Sequence, residues 1–263
     1  MATITRLLAG LSVALLIAIV AHRARSLSRS GAAAALGVGT VAVTAGWGWG
    51  ALLVAFFVAS TVLSRWGAAR KESHTAGIVA KGGERDAAQV LANGGLFALA
   101  AGLSLAWPEW NGWPALGAGA LAAATSDTWA TEVGTLVGAI PRSILTGRRV
   151  PPGTSGGVTV SGMLAAVAGA AFITAFVWTL GWPRDVALAA LAGGIAGSTL
   201  DSLLGATAQA RRWCGRCNRG TERLVHDCGA ETRRAGGFAW LDNDAVNFLS
   251  TAAGGLLAVL LAG

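Results

Sequence analysis

Residues 158–207 read VTVSGMLAAVAGAAFITAFVWTLGWPRDVALAALAGGIAGSTLDSLLGAT. Two nearly unbroken apolar runs, 158–181 and 185–207, are separated here only by Trp182, Pro183 and Arg184. A helix of about 20 apolar residues crosses the hydrocarbon of a bilayer. Each run is long enough to do so, and the Trp-Pro break makes the pair a hairpin with Trp178 and Trp182 at headgroup level. Asp201 sits well inside the second run. A carboxylate at that depth is costly and lines a polar pathway or a site, so one stretch carries both a fold reading and a functional one.

Outward from this hairpin, similar runs occur at 4–22, 31–46, 50–64, 88–107, 113–126 and 245–262. Three of them are short and must extend into neighbouring polar sequence or lie inside a bundle. WGWG at 47–50 reads as a tight turn between the second and third runs, and Trp107, Trp110 and Trp113 with Pro108 and Pro114 mark the turn between the fourth and fifth. Only 13% of the 263 residues are charged and 54% are hydrophobic, far from the charged quarter of a soluble domain. The 38 glycines suit close helix packing in a membrane. These features predict an all-α, polytopic transmembrane bundle of six to eight spans, one domain over 1–263, with 208–244 as its longest polar loop. Basic residues flank the first run on both sides, more of them after it, which predicts a retained helix in preference to a cleaved signal peptide.

The net charge of +7 is of the size that nucleic acid attracts, but its distribution excludes that reading. With eight spans, the Lys and Arg residues fall in loops 22–30, 65–87, 127–157 and 208–244, leaving only Arg6 and Arg184 of the twenty elsewhere. The positive-inside rule then puts these four loops in the cytoplasm and both termini outside. The partner that the charge implies is the lipid bilayer, with no nucleic acid.

The same loops hold the chemistry. In SDTWATEVGTL (126–136), Asp127 and Glu132 stand at the cytoplasmic end of the fifth run, and Thr128 and Glu132 share a face if the helix continues. Such carboxylates suit Mg²⁺, a hard cation that takes oxygen ligands; a helix-end charge or an ion pair is the alternative. PRSILTGRRVPPGTSGGVT (141–159) follows, with Gly153, Thr154, Ser155, Gly156 and Gly157 before the next span. Glycines let backbone amides approach an anion, and Arg142, Thr146, Arg148 and Arg149 add donors. This is not a Walker loop, since no Lys-Ser/Thr pair follows the glycines. Around Asp201, Ser198, Ser202, Gly205 and Gln209 recur at helical spacing as a polar stripe.

Two further groups belong to this end. Arg70, Lys71, Lys81 and Arg85 precede Gln89 and Asn93, which lie one helical turn apart; WLDNDAVNFL (240–249) puts Asp242, Asn243, Asp244 and Asn247 at the mouth of the last span. Either group can contact phosphate or metal; orientation signals and a helix cap are the plainer readings. The three cysteines form Cys214-x2-Cys217-x10-Cys228, with His226 two residues before the last. A Cys3His set fits a small structural Zn²⁺ knuckle, with free thiols as the alternative.

Taken together, GGERDAAQVLANGG (82–95), SDTWATEVGTL, PRSILTGRRVPPGTSGGVT, GSTLDSLLGA (197–206) and WLDNDAVNFL resemble a family of integral membrane proteins. That family includes the plant chloroplast phytyl-phosphate kinase and animal transmembrane protein 19, with many bacterial and archaeal members. The resemblance covers most of the chain from residue 65 onward. It implies a kinase, using CTP or another nucleoside triphosphate, that converts an isoprenyl monophosphate (phytyl, geranylgeranyl or farnesyl) to the diphosphate in a bacterial or archaeal cell membrane. On that reading Asp127, Glu132, Asp201 and Asp244 serve Mg²⁺ and nucleotide positioning. Lys71, Arg85, Gln89, Asn93, Arg142, Arg148 and the 153–157 turn hold phosphates. A CTP-dependent lipid transferase of the cytidylyltransferase kind needs the same ligands. A transporter of an anionic lipid or metabolite would instead place them near the midplane with access from both sides.

Overall fold

The computed structural model describes residues 2–75, 78 and 83–263; Lys81 lies outside them. In chain order the helices are α1 (Ala2–Arg23), α2 (Arg29–Ala45), α3 (Trp47–Arg65), the short α4 (Ala68–Thr75), α5 (Ala87–Ala106), α6 (Trp113–Val137), α7 (Val160–Thr179), α8 (Arg184–Thr207) and α9 (Asn243–Ala262). The eight long ones coincide with the eight apolar runs. Six of these are long and apolar enough to cross a membrane; α2, with 17 residues, and α6 are the exceptions. The protein is therefore an all-α polytopic membrane protein.

The helices start where the sequence supplies caps. Ser28 Oγ accepts from Gly31 N at the head of α2, and Thr159 Oγ1 from Gly162 N at the head of α7. Asp86 and Gln89 form a reciprocal capping box on α5, and Asp242 accepts from Ala245 N to cap α9. Such caps satisfy amide donors that a helix leaves orphaned, each contributing about 1 kcal/mol. Two boundaries differ from the sequence reading. WGWG is the first turn of α3, and the chain breaks at Gly46 alone. α6 runs on to Val137, because its polar residues find partners within the bundle: Ser126 Oγ donates to Ala166 O and Thr128 Oγ1 to Ala124 O. It stops at Gly138, whose φ of 73° is left-handed.

Successive long helices run in opposite directions. Gly10 and Ala14 of α1 face Val43 and Gly39 of α2, and the side chain of Arg65, at the end of α3, returns to Ala24 and Ser26. α2 and α5 are parallel, joined at their starts by a Leu27–Arg85 bridge and meeting again at Val41 and Gly102. The segments 23–29, 65–75, 83–87, 137–160 and 207–243 thus gather at one end, and the tight connections at 46, 107–112 and 180–183 at the other. The alternation is the one that the arginine distribution requires.

α6 is the central helix. Residues 115–126 are all buried, and the helix touches α3, α4, α5, α7, α8 and α9. Small side chains permit this: a Cβ on Gly193 of α8 would lie 2.3 Å from the carbonyl oxygen of Gly254 in α9, so the two backbones touch. Larger residues fill the far half, where Trp49 packs on Phe97 and Trp182 with ring centroids 5.2 and 4.9 Å apart. Leu and Val side chains exposed along α1, α7 and α9 form the lipid-facing surface.

The polar end carries two small sheets. β1 (Arg142–Ser143) pairs antiparallel with β2 (Gly157–Val158), folding 142–158 back on itself. β3 (Arg211–Cys214), β4 (Arg219–Thr221) and β5 (Arg233–Gly236) form a three-stranded ribbon in the order β4-β3-β5. The ribbon is tied to the bundle through Ala210 N to Leu241 O and Phe238 N to Ala208 O.

Candidate functional site

A cavity of about 400 Å³ opens at the polar end between α6, α7, α8, the 138–159 segment and the edge of the ribbon. Asp127 enters it from α6 and Asp201 from α8, with Ser198, Ser202, Gly205 and Gln209 continuing the α8 wall. Ser250 of α9 donates to Asp201 Oδ2 at 3.1 Å. The opposite wall is the turn Gly153–Gly157, and Asn243 reaches the rim. Below these groups the lining becomes apolar, with Met163, Ala166 and Val167 of α7 facing Ile195 of α8. Met163 and Val167 are exposed, and Leu164 between them is exposed without lining the cavity, so the cavity adjoins the apolar outer surface of α7.

The turn sits directly on α8. Gly156 has φ of 75°, and a Cβ there would lie 2.6 Å from the backbone nitrogen of Ala206. Only glycine fits both the conformation and the contact. Ile144 N donates to Gly156 O, fastening the turn to the β1 segment, while Thr154 Oγ1 is spent on Pro151 O.

Three carboxylates meet in this space, because Glu222 of the ribbon joins Asp127 and Asp201. Glu222 Oε1 accepts from Ser155 Oγ at 2.5 Å and from Gln209 Nε2 at 2.9 Å. Both Asp127 and Glu222 repel the charge of Asp201. Among the described residues no Lys or Arg lines the cavity. Carboxylates from separate elements, flanked by hydroxyls and with the His74 imidazole on the same wall, include the oxygen donors that a divalent cation such as Mg²⁺ takes.

Not every residue expected at the site is here. Glu132 turns away from the cavity and pairs with Lys71, accepting also from Ser64 Oγ at 2.6 Å. Lys71 is buried, and its ammonium also donates to Leu63 O and Ser64 O at 2.9 and 2.7 Å. Arg85 Nη2 donates to the same Ser64 Oγ. This network bolts α3, α4 and α6 to the start of α5, and it corrects the placement of Lys71 and Glu132 in a shared phosphate and metal site. Arg85, Gln89, Asn93 and Thr128 line a second, apolar cavity of about 100 Å³ among α1, α2, α3 and α5. Gln89 is also the return arm of the α5 capping box. Arg142, Thr146 and Arg148 lie on the exposed β1 hairpin outside the cavity, where Arg142 Nη1 donates to Gly147 O. Asp244 and Asn247, in the first turns of α9, do not line it either.

Glu222 is the residue that the sequence reading missed. It lies in an arginine-rich loop with no helical period to place it, and only the pairing of β3 and β4 brings it to the cavity.

The ribbon also assembles the cysteines. Cys214 ends β3, Cys217 lies in the following turn, and His226 and Cys228 return to them, so that the ligand atoms of all four lie within 4.8 Å of one another. The Cys214 and Cys228 sulfurs are 3.6 Å apart and unbonded. Sulfurs on a zinc tetrahedron with bonds of about 2.3 Å stand about 3.8 Å apart, so the set fits a metal ion. Hydrogen bonds from the Ala230 backbone and then His226 hold the Cys228 thiol down to about 6. The same cluster pushes the Cys217 thiol up to about 11, chiefly through its hydrogen bond with Cys228, so the sulfurs share one proton network of the kind that metal binding replaces.

A family described as integral membrane protein DUF92 matches residues 12–255. Protein PGR of Arabidopsis thaliana is 34% identical over 270 residues, covering 93% of this chain and 92% of that protein. An uncharacterized membrane protein of Methanocaldococcus jannaschii is 32% identical over 211 residues, 80% of this chain and 74% of its own length. One from Synechocystis sp. is 31% identical over 214 residues, 79% and 71% respectively. No solved structure matches the chain.

Proposed function

The chain belongs to the integral membrane protein family DUF92, and from that premise we propose that it is a membrane-embedded kinase for isoprenyl monophosphates. The observation that carries this reading is the two-part lining of the cavity: carboxylates, hydroxyls and a glycine turn above, and an apolar flank of Met163, Val167 and Ile195 adjoining the outer surface of α7 below. A molecule with a phosphate head and a hydrocarbon tail suits both parts. A soluble metabolite would leave the lower half unfilled.

The reaction joins an oxygen of the prenyl phosphate to the terminal phosphorus of a nucleoside triphosphate, CTP on the resemblance above. The bond from that phosphorus to the bridging oxygen breaks, and the nucleoside diphosphate leaves. The acceptor is already an anion, so no strong base is needed; alignment and charge neutralisation set the rate. Asp127 and Asp201 would hold Mg²⁺, which would supply positive charge facing the phosphates. The Gly153–Gly157 turn brings backbone close to the phosphates, and Ser198 and Ser202 offer hydroxyl donors from α8. The apolar flank fixes the tail and so orients the head. A structural zinc ion in the Cys3His set belongs to the same reading, as does a bacterial or archaeal cell membrane with the polar end in the cytoplasm.

The test is turnover by the purified protein given phytyl, geranylgeranyl or farnesyl monophosphate with CTP and Mg²⁺. Prenyl diphosphate and CDP are the expected products. Release of pyrophosphate with a cytidylyl lipid would assign nucleotidyl transfer instead, and no product with any acceptor or nucleotide would overturn the enzyme reading.

A further inference from the structure

Glu222 joins three parts of the molecule that have no sequence proximity. Its carboxylate accepts from Ser155 in the glycine turn and from Gln209 just beyond α8, while its own backbone nitrogen donates to Ile78 O in the α4–α5 segment. It follows β4 by one residue and precedes His226 by four. Within the ribbon, the four-residue segment after Glu222 is held at one end by strand pairing and at the other by the cysteine and histidine cluster. The strands themselves are only three or four residues long. Strands this short hold a register weakly; Thr232 ties the arm at Arg223 O and Leu224 O, and a metal bound by Cys214, Cys217, His226 and Cys228 would fix its far end.

We propose that the Cys3His ribbon is a zinc-loaded clamp that holds Glu222 against Ser155 and Gln209, so that metal in the ribbon sets the shape of the phosphate cavity beside it. Glu222 is on this account a positioning residue. It acts through the glycine turn, which is otherwise tied by the pairing of Gly157 with Ser143, by Ile144 N to Gly156 O, by Thr154 to Pro151 O and by its seat on Ala206. The clamp rests on the reading of that cavity as the phosphate site for its functional meaning, while the mechanical coupling stands on the contacts alone.

The experiment uses the full chain in detergent or nanodiscs, with metal content measured by mass spectrometry and amide hydrogen exchange followed peptide by peptide. The wild type should carry one zinc ion per chain, and the C214S/C228S variant none. Removing zinc by chelation should speed exchange at residues 153–157 and 205–209 about tenfold, as expected for losing an anchoring hydrogen bond to a charged group. Re-adding zinc should reverse the change, with the transmembrane helices unaffected throughout. Glu222→Ala should produce the same local increase with zinc still bound. Glu222→Gln should restore protection, because its amide oxygen still accepts from Ser155 and Gln209. Absence of zinc in the wild type, or an unchanged turn after zinc loss or in Glu222→Ala, would overturn the proposal. A wild type that exchanges as expected but turns over no prenyl phosphate would sink the kinase reading and leave the clamp standing.

Discussion

Asp201 owes its position to one helix and its surroundings to three. Ser250 donates to it from α9, Asp127 faces it from α6 and Glu222 approaches from the ribbon. Asp201→Asn keeps the shape and can still accept from Ser250, but removes the charge. We expect it to lower turnover at least about a hundredfold, with the thermal transition of the purified protein shifted by no more than a few degrees. Retention of full activity would remove Asp201 from the site. Lys71 and Glu132 invite the opposite expectation. They form a buried ion pair whose role in the contacts is mechanical, so Glu132→Ala should destabilise the protein by about 3–5 kcal/mol by stranding the ammonium. A Lys71→Met, Glu132→Leu double variant should recover much of that loss, and denaturant or thermal melts will tell. The sequence could mark Glu132 as notable but not say which way it turned. A carboxylate five residues beyond Asp127 on a helix lies well round the axis from it, and which face meets α4 is a tertiary fact.

The helices were legible because apolar runs and caps are local signals, while the 153–157 turn was legible only in part. Glycine with hydroxyls announced a turn that brings backbone close to something. That the something includes Ala206 of α8 depends on packing. Gly156→Ala would need both a strained φ and a backbone shift, so we expect a loss of well-folded protein or, where folding survives, a rise in the nucleotide KM of about tenfold or more. Gly147, also at positive φ but facing open space, offers the control: its alanine variant carries strain alone and should leave KM near wild type. The ribbon was illegible as structure, since strands of three and four arginine-rich residues have no hydrophobic alternation. Its cysteine spacing was the one durable clue, because metal ligands are recognised by type and number even where the strands that carry them are not.

At the scale of the molecule, the asymmetry of arginine and the alternation of eight helices agree. The 107–112 connection and the end of α9 lie at the end away from the ribbon, so reporter fusions at Gly112 and after Gly263 should report the same compartment, opposite to one inserted in the ribbon turn near Gly215. Alkaline phosphatase active at both fusions, and a fluorescent reporter bright only in the ribbon, would match the positive-inside expectation. Two helices explain why a count from hydropathy alone falls below eight. α2 is brief and α6 is wrapped by protein, so neither needs the lipid-facing apolar surface that such a count detects.

The packing of Trp49 on Phe97 and Trp182 at the end opposite the cavity carries a consequence for traffic. That end is filled by interlocked rings, and none of the three lines the cavity. On the proposed reading the lipid's tail stays in one leaflet from arrival to departure, and the extra phosphate is added without the molecule ever turning over in the bilayer. The product is handed back on the side from which the substrate came, ready for whichever prenyl transfer consumes a diphosphate there.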